Sequence, residues 1–202
     1  MNILQLIAIC GMLSPILYTL MWIIGGFLRP EYSHIRDDVS SLTATGAPRK
    51  RLFDGFIITS SVLMFVFYLG LHSGMNNGQG SVLGPSLFVV SGFLGILVAL
   101  FFPLDVGGEI ITLRGKMHLI LVVTSGILSI VGMVALWFRL IEIEVWSTFA
   151  MFSLVSAIVS FILVIISAIF IKSKYRGLVE RVMVSNYQVY YFVISMMVFL
   201  TN

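Results

Sequence analysis

Six blocks of apolar residues, at about 3–28, 52–72, 83–104, 117–138, 146–171 and 182–201, most constrain what this chain can fold into. Each has the length of roughly 20 helical residues that crosses a hydrocarbon layer about 30 Å thick. Inside that layer every backbone N–H and C=O must be satisfied within the protein, and an α-helix does this without any partner. The blocks therefore predict an all-α polytopic membrane protein, a single bundle of six transmembrane helices in one domain over residues 1–202. Composition agrees: 59% of the residues are hydrophobic and only 10% are charged, against about 25% charged in an ordinary soluble domain. No soluble domain fits into the remaining residues, because the longest connection runs only from Arg29 to Arg51.

The first block has no Lys or Arg before Arg29 and is too long for a secretory leader, so it is expected to be a retained span. Cys10 is the only cysteine, which excludes an intrachain disulfide and a cysteine metal cluster. The net charge of +3 does not point to nucleic acid. In such a chain basic residues first report topology.

That report is one-sided. Arg29, Arg36, Arg49, Lys50 and Arg51 lie in the first connection, Arg114 and Lys116 in the third, and Lys172, Lys174, Arg176 and Arg181 in the fifth. Odd-numbered connections share one face of an antiparallel bundle, so eleven of the twelve basic side chains collect there and Arg139 is alone on the other. The positive-inside rule assigns the basic face to the cytoplasm and both termini to the outside of the cell membrane.

Ser91, Gly95 and Ala99 in the third block, and the Ser153, Ser156, Ala157, Ser160 stripe in the fifth, are spaced for close helix packing. Serines such as Ser60 and Ser61 are expected to bond to their own helix. No ionisable residue falls deep within a block as bounded above, which argues against a proton relay or an ion-coupled carrier.

The basic face also collects chemistry. The first connection brings His34, Arg36, Asp37, Asp38 and Ser40, and the third brings Asp105, Glu109 and Arg114, with His118 opening the next span. Carboxylates beside an imidazole can divide acid and base roles or bind a divalent cation. Arg36 and Arg114 have the guanidinium geometry that clamps phosphate, and Gly107 and Gly108 would let backbone amides approach an anion. Asp105 and His118 stand out as catalytic candidates, because Asp105 follows an apolar block without a polar buffer and His118 lies inside the next. His72, at the opposite end of the second block, is expected to be isolated. The HExxH, GxSxG, Walker and GxGxxG patterns are absent.

These residues also carry a resemblance. Ser14-Pro15, the Asp38, Ser40, Leu42, Gly46 run, Phe102-Pro103-Leu104-Asp105 followed by His118, and Gly177-Leu178-Val179-Glu180-Arg181 occur here in order. With six apolar blocks, the chain resembles the family known as domain of unknown function 998, six-span integral membrane proteins of bacteria and archaea. That family is distantly similar to eukaryotic six-span proteins such as the damage-regulated autophagy modulators. The resemblance implies fold and location, and names no activity or cofactor.

Three functional readings follow. The first is binding of a membrane lipid, an anionic lipid or similar amphiphile, at the cytoplasmic face through the first and third connections. The second is a membrane-embedded, hydrolase-like enzyme acting on a lipid head group, with a metal held by Asp37, Asp38 or Glu109. The third is a structural subunit, as a homo-oligomer or beside a membrane-protein partner.

Overall fold

The computed structural model describes residues 1–202 and is all-helical. Its long helices are α1 (Ile3–Leu28), α2 (Lys50–Gly74), α3 (Leu83–Phe101), α4 (Leu113–Leu140), α5 (Glu144–Phe170) and α6 (Arg176–Thr201). All six are long and apolar enough to cross a membrane. Short 3-10 turns at Val39–Leu42, Asn76–Gly78 and Val106–Gly108 punctuate the first three connections.

Each helix packs against its neighbours in sequence, and α6 closes against α1, so the bundle is a ring. Asn2 and Asn202 meet at the ring's closure, with Asn2 Nδ2 donating to the Asn202 carbonyl at 2.9 Å. Aromatic rings fill the half of the ring remote from the basic face. Tyr68 of α2, Phe88 of α3, Phe149 of α5 and Tyr190 of α6 stand with centroids 5.3 Å (Tyr68–Phe88), 6.0 Å (Phe88–Tyr190) and 5.8 Å (Phe149–Tyr190) apart. Gly84 and Gly132 bring α3 and α4 together, since a side chain at either would meet Leu136 or Phe88. A smaller core of Met21, Tyr32, Val39, Leu42 and Phe53 seals the basic end.

Buried serines cross between helices rather than bonding only to their own. Ser14 Oγ donates to the Ser60 carbonyl at 2.8 Å, Ser91 Oγ lies 2.9 Å from Ser129 Oγ, and Ser153 Oγ donates to Met133 O at 2.9 Å. A hydroxyl in hydrocarbon bonds to the nearest acceptor, and in a closely packed ring that acceptor is often on the next helix.

Two expectations about charge also change. His72 is not isolated: Arg139, the one Lys or Arg at that end, reaches its Nδ1 at 3.0 Å and donates to the carbonyls of His72 (3.3 Å), Met75 (3.2 Å), Gln79 (2.6 Å) and Ser81 (3.1 Å). Arg139 holds the second connection together, and His72 is part of that knot. Further, α6 begins at Arg176 rather than near 182, and α4 at Leu113 rather than 117. For α4 the reason is Thr112, whose hydroxyl caps the Gly115 N–H at 3.3 Å. For α6 it is the first connection: the Leu178 N–H, which an isolated helix start would leave unpaired, donates to Ile35 O at 3.0 Å. The extra turn carries Glu180 and Arg181 into the bundle.

Candidate functional site

The basic face is organised by Arg181. It is only 6% exposed, and its Nη1 donates to the carbonyls of His34 (2.7 Å), Asp37 (2.7 Å) and Gly177 (2.8 Å). Its Nη2 donates to the Tyr32 hydroxyl, and its guanidinium lies over the rings of Trp22 and Tyr32. One buried cation thus gathers the turn formed by residues 32–37 onto the start of α6. Gly177 makes this approach possible, because a Cβ there would lie 2.8 Å from the Asp37 carbonyl carbon. Arg176 Nε donates to Arg36 O at 3.1 Å, and Val39 N–H donates to Glu180 Oε2 at 2.7 Å.

The docked connection separates two cavities. The outer one, about 400 Å³, opens at the basic face among Arg29, Glu31, Arg36, Asp37, Gly107 and Arg176. Arg29 pairs with Glu31 at 2.8 Å and Arg36 with Asp37 at 3.0 Å, while Arg176 engages the protein through Nε alone. Three guanidiniums against two carboxylates leave the pocket formally positive. Asp37 is pushed up by burial, but Arg36 and the Ser33 N–H hold its pKa below the usual carboxylate value.

The inner cavity, about 260 Å³, lies within the ring beneath the Val39–Leu42 turn. Polar groups on it include Tyr18, Ser40, Asp54, Ser61, His118 and Glu180. Glu180, His118 and Asp54 stand four or five residues inside their helices, about 6–8 Å below the helix starts. Both Asp54 oxygens take Lys50 Nζ, at 2.6 and 2.7 Å, whereas Glu180 forms no ion pair.

The residues singled out in the sequence fall into four groups. Arg36 and Asp37 line the outer pocket. Ser40 and His118 line the inner one. His34 and Asp38 lie in the docked connection. His34 stands edge-on to Trp22 and Tyr32 at 5.6 and 5.5 Å, its Nδ1 buried without a partner, and burial together with Arg181 lowers its pKa. Asp38 has one buried oxygen without a partner, and burial raises its pKa against the pull of Arg176. Asp105 and Glu109 stay in the third connection and Arg114 in the first turn of α4, with Glu109 and Arg114 exposed.

Asp105 and His118 are not hydrogen-bonded to each other. One Asp105 oxygen accepts from the N–H groups of Ile111 and Thr112, both at 2.7 Å, and the other from the Thr112 hydroxyl at 2.6 Å. These bonds, led by that hydroxyl, lower its pKa. His118 Nδ1 lies 2.7 Å from Phe102 O, an acceptor, so the ring nitrogen must donate. Gly107 lines the outer pocket, whereas the Gly108 N–H is taken by Asp105 O at 3.0 Å. No set of three His, Cys, Asp or Glu side chains is close enough to share a metal ion. Glu180, Arg176, Arg29 and Arg181 were missed as site residues. For Arg176, Glu180 and Arg181 the signal in the sequence was the charged Arg176–Arg181 run abutting an apolar block, and for Arg29 its place directly after the first block.

Six membrane-length apolar helices in a closed ring define a multi-pass membrane protein. The chain belongs to the family described as Protein of unknown function (DUF998), which it matches over residues 12–197. No curated protein and no solved structure matches it.

Proposed function

We propose that this membrane protein binds the anionic head group of a membrane amphiphile in the outer pocket of its basic face. The observation that supports this reading is the convergence of Arg29, Arg36 and Arg176 on one cavity at the level where head groups lie, with Arg176 free to turn its terminal nitrogens toward a ligand. Arg29 and Arg36 are held in place by their carboxylate partners, so a phosphate meets cations that are already ordered. The Arg114 expected to clamp the ligand stands outside this pocket, and Arg176 takes its place. The acyl chains of the amphiphile would lie along the lipid-facing exterior of the ring.

Thermal unfolding of the purified protein with dioctanoyl phosphatidylglycerol or dioctanoyl phosphatidylcholine tests the reading. The anionic lipid is expected to stabilise the protein more than the zwitterionic one. Arg176→Gln should weaken that response by about ten- to a hundredfold in affinity, the value of one charge-assisted hydrogen bond of about 1.5–3 kcal/mol. Lys172→Gln, on the same face but outside the pocket, should leave it unchanged. Equal losses at Arg176 and Lys172 would reduce the effect to general charge attraction, worth about 1 kcal/mol per basic residue, and would refute the pocket.

A further inference from the structure

We infer that the inner cavity is a second binding site, for a small protonated amine. Its walls supply hydrogen-bond acceptors in excess. Glu180 carries a carboxylate with no cationic partner, and only one of its oxygens is engaged, by Val39 N–H. His118 donates through Nδ1 to Phe102 O, so in the neutral ring Nε2 is left as an acceptor. Tyr18 and Ser40 add hydroxyls that the protein leaves without a side-chain partner. Asp54 contributes no net charge, being matched by Lys50. Glu180 is therefore the one acidic group on the wall without an ion pair, since the neighbouring Arg176 and Arg181 turn their donors to backbone carbonyls of the first connection.

A carboxylate facing a half-open, largely apolar cavity within the ring is costly unless a cation meets it. An alkylammonium ion supplies that charge and up to three N–H donors, and it places its carbon chain against Met21, Ile57 and Met64. An anion would meet Glu180 unfavourably, and a neutral hydrocarbon would leave the acceptors unpaired. The volume, about 260 Å³, lies just under the roughly 300–1,000 Å³ of drug-sized ligand sites, so the ligand is small. This site differs from the outer pocket in charge, and the Val39–Leu42 turn separates them, Val39, Ser40 and Thr43 facing inward and Ser41, Ala44 and Thr45 outward.

The test uses the full chain in detergent with n-butylammonium chloride, with n-butanol and sodium chloride at matched concentration as comparisons. Butylammonium should raise the Tm saturably, butanol and sodium chloride should not, and Glu180→Gln should weaken the apparent affinity roughly tenfold or more. Gly95→Leu provides a second variant that leaves Glu180 untouched. A Cβ at Gly95 meets nothing within 4 Å, and the residue lines the cavity, so a larger side chain there takes up cavity space and should abolish the response. Equal responses to butylammonium and butanol, no response to butylammonium, or a full response in Gly95→Leu would each overturn the proposal. So would an undiminished response in a folded Glu180→Gln protein; if that variant fails to fold, Gly95→Leu alone decides. Loss of the phosphatidylglycerol response in Arg176→Gln with the amine response intact would show that the two sites stand or fall separately.

Discussion

The close approach of the first connection to Gly177 offers a sharp test of how the basic face is built. Replacing Gly177 with Ala adds one methyl group, whose carbon would lie 2.8 Å from the carbonyl carbon of Asp37 and 2.9 Å from Arg181 Nη1. Ordinary carbon contacts are about 3.5–4.0 Å, so the first connection must withdraw by about 1 Å. The 2.7 Å bonds from Arg181 Nη1 to Asp37 O and His34 O then lengthen to about 3.7 Å, beyond hydrogen-bond range. Bonds to a charged donor contribute about 1.5–3 kcal/mol each and are not additive, so a loss of about 2–4 kcal/mol in docking the connection is expected. The first connection carries Arg36 and Arg49, with Arg29 shielded by Pro30, and is a trypsin substrate once undocked. Cleavage from the undocked form should therefore rise roughly 30- to 700-fold. Gly55→Ala is the matched control, because a Cβ there meets nothing within 4 Å and Ala favours the helix. Equal trypsin resistance in the two variants would refute the claim that Gly177 permits the docking that Arg181 secures.

Other predictions rest on separate contacts. Arg139→Gln should destabilise the protein by about 2–4 kcal/mol in thermal or denaturant unfolding through loss of its four carbonyl contacts, with the phosphatidylglycerol response intact in the folded fraction. Ser153→Ala should cost about 0.6–1.7 kcal/mol, the range for a hydrogen bond between membrane helices. Because the folded-state pKa of His34 is lowered, its contribution to docking is present above the unfolded value near 6.5 and is lost as pH falls below it. Trypsin resistance of the first connection should decline as pH drops from 7 toward 5, and His34→Asn should flatten that decline. On a Cys10-free background, a cysteine at position 47 should resist an impermeant reagent in intact cells while one at the C-terminus reacts; the reverse would contradict the cytoplasmic assignment of the basic face.

The six helices could be read directly because the apolar blocks have the length a bilayer requires. The parity of the connections correctly brought Arg36, Asp37 and Gly107 to one end, and the structure packs them around one pocket. What could not be read was the start of α6. Arg176, Glu180 and Arg181 look like linker when boundaries are drawn where hydrophobicity stops. The helix continues through them because Arg181 finds the His34 and Asp37 carbonyls as well as Gly177 O of its own helix, and Glu180 finds the Val39 N–H; the three partners in the first connection are 141 to 147 residues away in sequence. The Asp105 and His118 candidates show the opposite limit. Their spacing permitted a pairing, yet Thr112 and Ile111 offer Asp105 nearer donors, and Phe102 offers His118 a nearer acceptor. Local bonds that close a turn take precedence over a contact that sequence distance alone allows.

The binding of an anionic head group is tested most directly by a crystal structure grown in a lipid mesophase doped with phosphatidylglycerol. The account predicts phosphate density in the outer pocket, within about 2.7–2.9 Å of Arg176 and of at least one of Arg29 and Arg36. Density confined to Lys172 and Lys174, or a pocket holding only water at saturating lipid, would contradict it.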